Sequence, residues 1–251
     1  MEPGAKTALQ LYTLRELKEQ GMAATLESVA GIGFAGVELA GLTDLSAVET
    51  AAVCAALGLE VCGAHVGLER FESEPEAVAA ELRILGTENL VIPWLPPDSE
   101  VVAAAARIAA ATATARSLGL SPIFHNHWFE FDSTPAGRLW DALVAIDGLG
   151  LEIDLGWAWA AGEDPLELLR AHAGRCRLAH LKDMRRDGDK VVDTPLGEGQ
   201  IDWAEILPVA LETGVEWLIV EQDHPGSDPV GATRRSFDHL AGLLAAVPRG
   251  A

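Results

Sequence analysis

The sequence predicts a (β/α)8 barrel, a closed eight-stranded parallel sheet wrapped by helices, formed as one domain over residues 1–251. Three observations point there. Short apolar segments alternate with longer helical ones in eight successive strand–helix pairs, and regular alternation of this kind builds a parallel sheet, either open and doubly wound or closed. The length of 251 residues is ordinary for a closed barrel. No GxGxxG follows the first apolar segment, so the open dinucleotide-binding form has no support, and no linker-like stretch divides the chain.

The first strand candidate is TALQLYTL (7–14), followed by a helix over LKEQGMAATLESVAGIG (17–33) that closes on glycine, as a C-cap requires. GVELA (36–40) precedes the helix SAVETAAVCAALG (46–58), which Ser46 opens as N-cap. LEVCGAHV (59–66) precedes PEAVAAELRILG (75–86). NLVIPWL (89–95) precedes VVAAAARIAAATATARSLG (101–119), which is amphipathic about Arg107 and Arg116 and reads as a surface helix. SPIFHNH (121–127) precedes TPAGRLWDALVAIDG (134–148), and LGLEIDLGW (149–157) precedes DPLELLRAHAG (164–174), opened by Asp-Pro. CRLAHLKDM (176–184) leads into a polar loop and then DWAEILPVALETG (202–214). EWLIVEQD (216–223) leads into the last helix, roughly 228 to 247.

Composition narrows the function classes. Hydrophobic residues make up 49% of the chain and charged ones 22%, enough for a sizeable core. Thirty-eight acidic residues against 18 basic ones leave a formal charge of -20, a surface that repels phosphate backbones, so no nucleic-acid partner is expected. Cys54, Cys62 and Cys176 are scattered and odd in number, which argues against a disulfide framework and fits a reducing, cytoplasmic compartment. The first residues carry no secretory pattern, and no apolar run is long enough to span a membrane, so no membrane partner is expected. Oligomeric state is not readable, and a homo-oligomer is left open.

In a barrel the chemistry sits at the C-terminal ends of the strands. Polar residues collect there in this chain: Gln10 and Tyr12 on strand one, Glu38 on two, His65 on three, His125, Asn126 and His127 on five with Glu130 just beyond, Asp154 on six, His180, Lys182 and Asp183 on seven, and Glu221, Gln222 and Asp223 on eight. Each has a plain alternative. Glu38 could be a surface carboxylate, His65 a satisfied core histidine, Asp183 an orienting or solvent-facing group, and Trp157 and Trp159 core packing rather than a sugar-facing wall. Asp154 and Glu221 follow apolar runs in which a solvated role is hard to arrange, and a lysine such as Lys182 is rarely buried without a task. Buried carboxylates and imidazoles are costly unless paired or bound to a cation. A ring of them suggests a site, and its oxygen and nitrogen donors suit a divalent ion, Mn2+, Mg2+, Co2+ or Zn2+, rather than a thiolate-bound structural zinc. Glu198, in the glycine-rich LGEGQIDW, reads as turn chemistry and not a phosphate cradle. No arginine cluster stands at the strand ends, which favours an unphosphorylated substrate.

QLYTLRE, GVELAG, GAHV, FHNHWFEF, EIDLGW, AHLKDM, LGEGQIDW and VEQD, in this order, resemble the sugar phosphate isomerase/epimerase family with the xylose-isomerase-like TIM barrel. The likeness covers nearly the whole chain. It implies a divalent metal held by Glu, Asp, His and Glu from strands five to eight. Carried onto this chain, the last three fall on Asp154, His180 and Glu221. The strand-five ligand falls on Glu130 or on a histidine that replaces it, freeing Glu130 as an acid or base. The resemblance implies a keto-sugar or cyclitol substrate, with proton abstraction beside its carbonyl, a metal-stabilised enediolate, and isomerisation or epimerisation as the outcome. An inosose dehydratase or 3-keto-sugar lyase would use the same site. Glu38, Glu130 and Glu221 are the candidate proton-transfer groups, and Gln10, His65, His125, His127, Lys182 and Trp157 the candidate substrate contacts. A barrel that binds sugar without turnover, and a DNA-repair nuclease on the same fold, are the other classes. The metal-binding pattern argues against the first and the charge against the second.

Overall fold

The structure, a computed structural model, describes residues 5–41, 44–188 and 190–247. Its strands are β1 (Lys6–Gln10), β2 (Gly36–Leu39), β3 (Glu60–His65), β4 (Asn89–Ile92), β5 (Ser121–His125), β6 (Gly150–Asp154), β7 (Cys176–Leu181), β8 (Asp183–Asp187), β9 (Lys190–Thr194) and β10 (Trp217–Val220). Seven consecutive strands from β1 to β7, together with β10, pair in parallel and close a barrel; β10 returns between β7 and β1. The helices are α1 (Gly21–Ile32), α2 (Ala47–Leu57), α3 (Leu68–Ser73), α4 (Pro75–Leu85), α5 (Val101–Ser117), α6 (Leu139–Val144), α7 (Leu155–Ala161), α8 (Pro165–Ala171), α9 (Trp203–Glu212) and α10 (Pro229–Ala246). The predicted alternation is therefore present in order. Among the described residues no helix is long and apolar enough to cross a membrane, and Cys54, Cys62 and Cys176 are free and buried.

The strands sort their side chains by parity, because successive residues point to opposite faces. Residues such as Leu9, Val37, Phe124, Ile153, Leu181 and Leu218 fill the layer between sheet and helices. The residues between them point into the barrel. There Ala8, Cys62, Val91, Ile123, Leu178, Trp217 and Ile219 form an apolar plug. Above that plug the inward positions turn polar. Gln10 pairs in register with Glu38, His125 with Glu152, and Asp154 with His180. The apolar lower layer thus sets a floor, and the site is built from what the strands carry beyond it.

Several segments depart from the sequence expectation, among them the stretch over 134–148, of which only Leu139–Val144 is helix, after a turn closed by Thr134 and Gly137. The first strand ends at Gln10, because the Gln10 side-chain Oε1 accepts the Tyr12 N–H at 3.1 Å and turns the chain into a 3-10 stretch over Leu11–Gln20. LGLEIDLGW is not a strand to its end. Asp154 closes β6 and its Oδ1 accepts the Trp157 N–H at 2.8 Å, so the same residue caps α7. The polar loop after AHLKDM is in part an antiparallel hairpin of β8 and β9, whose KVVDT strand carries β-branched residues suited to a ladder.

Candidate functional site

A cleft of about 700 Å3 opens at the C-terminal end of the barrel. Tyr12, Trp94 and Trp128 form its aromatic rim, and His65, His125, His127, Lys182, Glu221 and Asp223 stand on its floor and walls. A second cleft, of about 660 Å3, lies away from this cluster and is lined by Arg116, Arg175 and Arg177 among apolar and backbone groups. Two arginines do reach the mouth of the first cleft, from outside the strands. Both are committed: Arg15 donates to the Tyr12 and Asp223 carbonyls, and Arg70 donates to Glu81 at 2.6 and 2.7 Å.

His180 is the hub. It is fully buried, its Nδ1 lies 2.9 Å from Glu221 Oε2, and its Nε2 lies 2.7 Å from Glu38 Oε2 and 3.2 Å from Glu152 Oε2. His65 Nε2 contacts the same two carboxylates, 3.0 Å from Glu152 and 3.2 Å from Glu38. His125 Nδ1 lies 3.2 Å from Glu152 Oε2. On the other side Lys182 Nζ meets Asp223 at 2.8 Å, Glu221 at 3.0 Å and Asp154 at 3.4 Å, and sits 4.8 Å from the centre of the Trp157 ring.

Burial works against every charge in this cluster, and the neighbours decide which survive. Burial opposes ionisation of Glu38 and Glu221, yet His65 and His180 beside the one, and Lys182 and His180 beside the other, hold both well below the usual carboxylate range. Burial, reinforced by the Glu38 charge, pushes Glu152 up to about 7, and burial pushes Asp154 up to about 6 against Lys182 and His180. Burial would lower His65, but Glu38 and Glu152 raise it to about 10. His127 goes the other way, down to about 3, through burial and the nearby Lys182 charge.

The sequence-derived residues fall into three places. His65, His125, His127, Lys182 and Glu221 line the cleft. Asp154 and His180 lie beneath its floor, fully buried, with donor atoms in one group with those of His125 and Glu221, all within 4.8 Å of one another. Gln10, Glu38, Glu130 and Trp157 do not line the cleft. Gln10 Nε2 donates to Glu38 Oε2 at 2.8 Å beneath the floor. Glu130 Oε2 accepts the His127 N–H at 2.8 Å, its Oε1 is buried without a hydrogen-bond partner, and it belongs to neither group of donors that could hold an ion. Trp157 backs the exposed Trp128, ring centres 4.7 Å apart.

One residue of the cluster, Glu152, lay outside the sequence reading, and another, Asn126, stood in it without a role. Glu152 shares the inward parity of Asp154, and two acidic residues spaced by two in an apolar strand was the available signal. Asn126, buried, accepts the Asp154 N–H at 3.0 Å and donates to the Asp154 carbonyl at 3.3 Å, tying the end of β5 to the end of β6. Nothing in the residue pattern marks that clamp.

The donor chemistry fits a divalent cation. The group of His125, Asp154, His180 and Glu221 mixes imidazole nitrogen with carboxylate oxygen, and Asp154 Oδ2 is buried without a hydrogen-bond partner while facing Lys182 and His180.

The family model of the xylose isomerase-like TIM barrel matches residues 26–243. The rhizopine catabolism protein MocC of Rhizobium meliloti is 30% identical over 148 residues, 51% of this chain and 45% of that protein. An inosose dehydratase of Geobacillus kaustophilus is 28% identical over 151 residues, 50% of this chain and 46% of that protein. The match thus spans about half of this chain and less than half the length of either relative. Among solved structures, a sugar phosphate isomerase/epimerase from Parabacteroides distasonis superposes with a TM-score of 0.79 at 20% identity, over 94% of this chain and 98% of that one.

Proposed function

The chain belongs to the xylose isomerase-like TIM barrel family, and from that membership and the chemistry of the cleft we propose that it removes a proton beside the carbonyl of a small keto sugar or keto cyclitol, as a divalent-metal-dependent isomerase or epimerase. The observation that carries this is the wall formed by Glu221 and Lys182, 3.0 Å apart, standing in the cleft directly above Asp154 and His180. Asp154, His180 and Glu221 would hold the ion. Because Glu221 lines the cleft and Asp154 and His180 lie just beneath its floor, an ion so held would be within reach of a substrate in the cleft. When bound, the ion supplies Lewis-acid polarisation of a carbonyl oxygen and a counter-charge for the negative charge that builds there.

The chain's own groups do the rest. Of the three carboxylates nominated for proton transfer, Glu221 alone lines the cleft; Glu38 and Glu130 are sealed away. Glu221 therefore takes the proton. Lys182, which burial would discharge but which Glu221, Asp154 and Asp223 keep protonated, donates to the oxygen that gains charge. His127, neutral through burial, offers a ring nitrogen to substrate hydroxyls from the end of β5. Trp128 and Trp94, both half-exposed at the rim, would cover a bound substrate from water. Asn126 keeps Asp154 in place and Glu130 shapes the turn that carries His127.

The similarity to an inosose dehydratase favours a second reading at the same site: the same proton removal followed by loss of a β-hydroxyl. Incubation of the Mn2+-loaded chain with a panel of keto sugars and inososes in D2O, followed by NMR, tests both. Incorporation of deuterium beside the carbonyl without loss of substrate mass supports the isomerase or epimerase, and a product lighter by one water supports the dehydratase. The Glu221→Gln variant should lower exchange by on the order of 100-fold or more, the scale of a lost general base. No exchange with any member of the panel, or full exchange in Glu221→Gln and Asp154→Asn, would sink the proposal.

A further inference from the structure

We propose that the barrel holds a second divalent cation, deeper than the first, on His65 Nε2, His125 Nδ1 and Glu152 with Glu38 beside them. The proposal rests on the reading above in placing one ion at Asp154, His180 and Glu221. The donors of the deeper group are already assembled: one ligand atom each from His65, His125, Glu152 and His180 lies within 4.8 Å of the others. Ligands held 2.0–2.2 Å from one ion are about 3 to 4 Å apart, and the structure gives 3.0 Å for His65 to Glu152 and 3.2 Å for His125 to Glu152.

The ring nitrogens divide the shared histidines between the two sites. His180 turns Nδ1 toward Glu221 and Asp154, and its Nε2 toward Glu38, so it serves the upper ion while Glu38 orients it. His125 turns Nδ1 toward Glu152, on the deeper side. That nitrogen is buried and makes no hydrogen bond, and Glu38 Oε1 and Glu152 Oε1 are likewise buried and unpartnered. Two carboxylate oxygens, from Glu38 and Glu152, are brought to the same two imidazole nitrogens, a like-charge approach that a cation would offset.

Asp154, Glu221 and Asp223 meet the ammonium of Lys182, whereas Glu38 and Glu152 meet the imidazoles of His65 and His180, so no lysine or arginine among the described residues offsets the deeper pair of carboxylates; a divalent ion would. His65 also lines the cleft, so the deeper site has an entry path from the mouth.

The test is metal stoichiometry. The full chain is stripped with chelator, reloaded with Mn2+, desalted, and its bound manganese counted, with cooperative thermal unfolding as the check that each variant folds. Two ions per chain are expected, with one remaining in Glu152→Gln, in His65→Ala and in Asp154→Asn. His65→Ala, at the half-open edge of the cluster, keeps the test decisive if Glu152→Gln does not fold. A single ion in the parent chain that Glu152→Gln and His65→Ala retain and Asp154→Asn loses overturns the second site and leaves the proposed function standing. A single ion lost in Glu152→Gln and kept in Asp154→Asn supports the deeper site, but overturns the two-ion count and the upper site on which the function rests. No bound manganese overturns both.

Discussion

A carboxyl group sealed from water stays protonated unless a cation or several donors compensate it, and Glu130 has neither in full. It accepts one N–H, from His127, and burial raises it from 4.5 to about 7. A carboxyl raised on folding binds its proton more tightly in the native state. Its contribution is therefore fully present below the unfolded value of about 4.5 and is lost as pH rises through 7. Between pH 5 and pH 8 the parent chain should lose about 2 kcal/mol more unfolding free energy than Glu130→Gln, which keeps an oxygen for the His127 N–H. Urea unfolding of the two proteins at both pH values measures it, and equal pH slopes would remove this account of Glu130. At this scale the sequence was partly legible. Asp154 and Glu221 stood out as acids ending apolar strands, and the structure places both at the cluster. Glu152 did not stand out, although it has the same parity as Asp154, because a bulge between Leu151 and Glu152 alters the local register and composition alone does not say which of two inward acids meets an imidazole.

Among elements, the segment least legible in sequence is the one after β7. It reads as polar and glycine-rich, hence as loop. Its order comes from Asp183, a single buried side chain whose partners are all backbone groups. Oδ1 accepts from Met184 at 2.9 Å and Ile201 at 3.4 Å, and Oδ2 from Gly197 at 2.7 Å and Gly199 at 3.0 Å. Asp183 thus pins the loop over 195–201 to the start of the β8–β9 hairpin. A Cβ at Gly199 would run into the Asp183 carboxylate, which explains a glycine there. Glu198, between them, is exposed and pairs with Arg235 at 2.8 Å, in keeping with turn chemistry rather than a phosphate cradle. Truncation in Asp183→Ala would strand several buried donors, each worth about 1–3 kcal/mol, so the variant should lose about 3 kcal/mol or more, with Asp183→Asn between it and the parent. Chemical unfolding of the three proteins checks the order; a loss under about 1 kcal/mol in Asp183→Ala would show that the loop is held by something else.

At the scale of the whole barrel, β1 to β7 and β10 each bring an inward side chain to one axis, and their positions beyond the apolar plug decide how stable the closed sheet is. Eight strand–helix alternations made this closure legible, because parity and helix capping repeat locally along the chain. The hub at His180 was not legible as a hub. It draws Glu38, Glu152, Asp154 and Glu221 together from two other strands, β2 and β6, and the residue that follows β10, and such long-range convergence leaves no local pattern. The same convergence predicts how the molecule answers to metal. Glu38, Glu152, Asp154, Glu221 and Asp223 crowd round His180 and Lys182 in the closed barrel and are spread apart in the unfolded chain, so a divalent ion held there would stabilise the native state by mass action. At an ion concentration 100 times its dissociation constant the gain is about 2.7 kcal/mol, or roughly 5–10 °C in melting temperature for a domain of this size. Mn2+ should therefore raise the melting temperature of chelator-stripped protein by about that much. Sodium chloride of equal ionic strength should not, since buried charges are screened little by salt. The double variant Asp154→Asn, Glu221→Gln, with fewer buried charges to neutralise, should show a smaller shift or none. A parent chain whose melting temperature ignores Mn2+ would mean that its carboxylates settle their charge among Lys182 and the histidines alone.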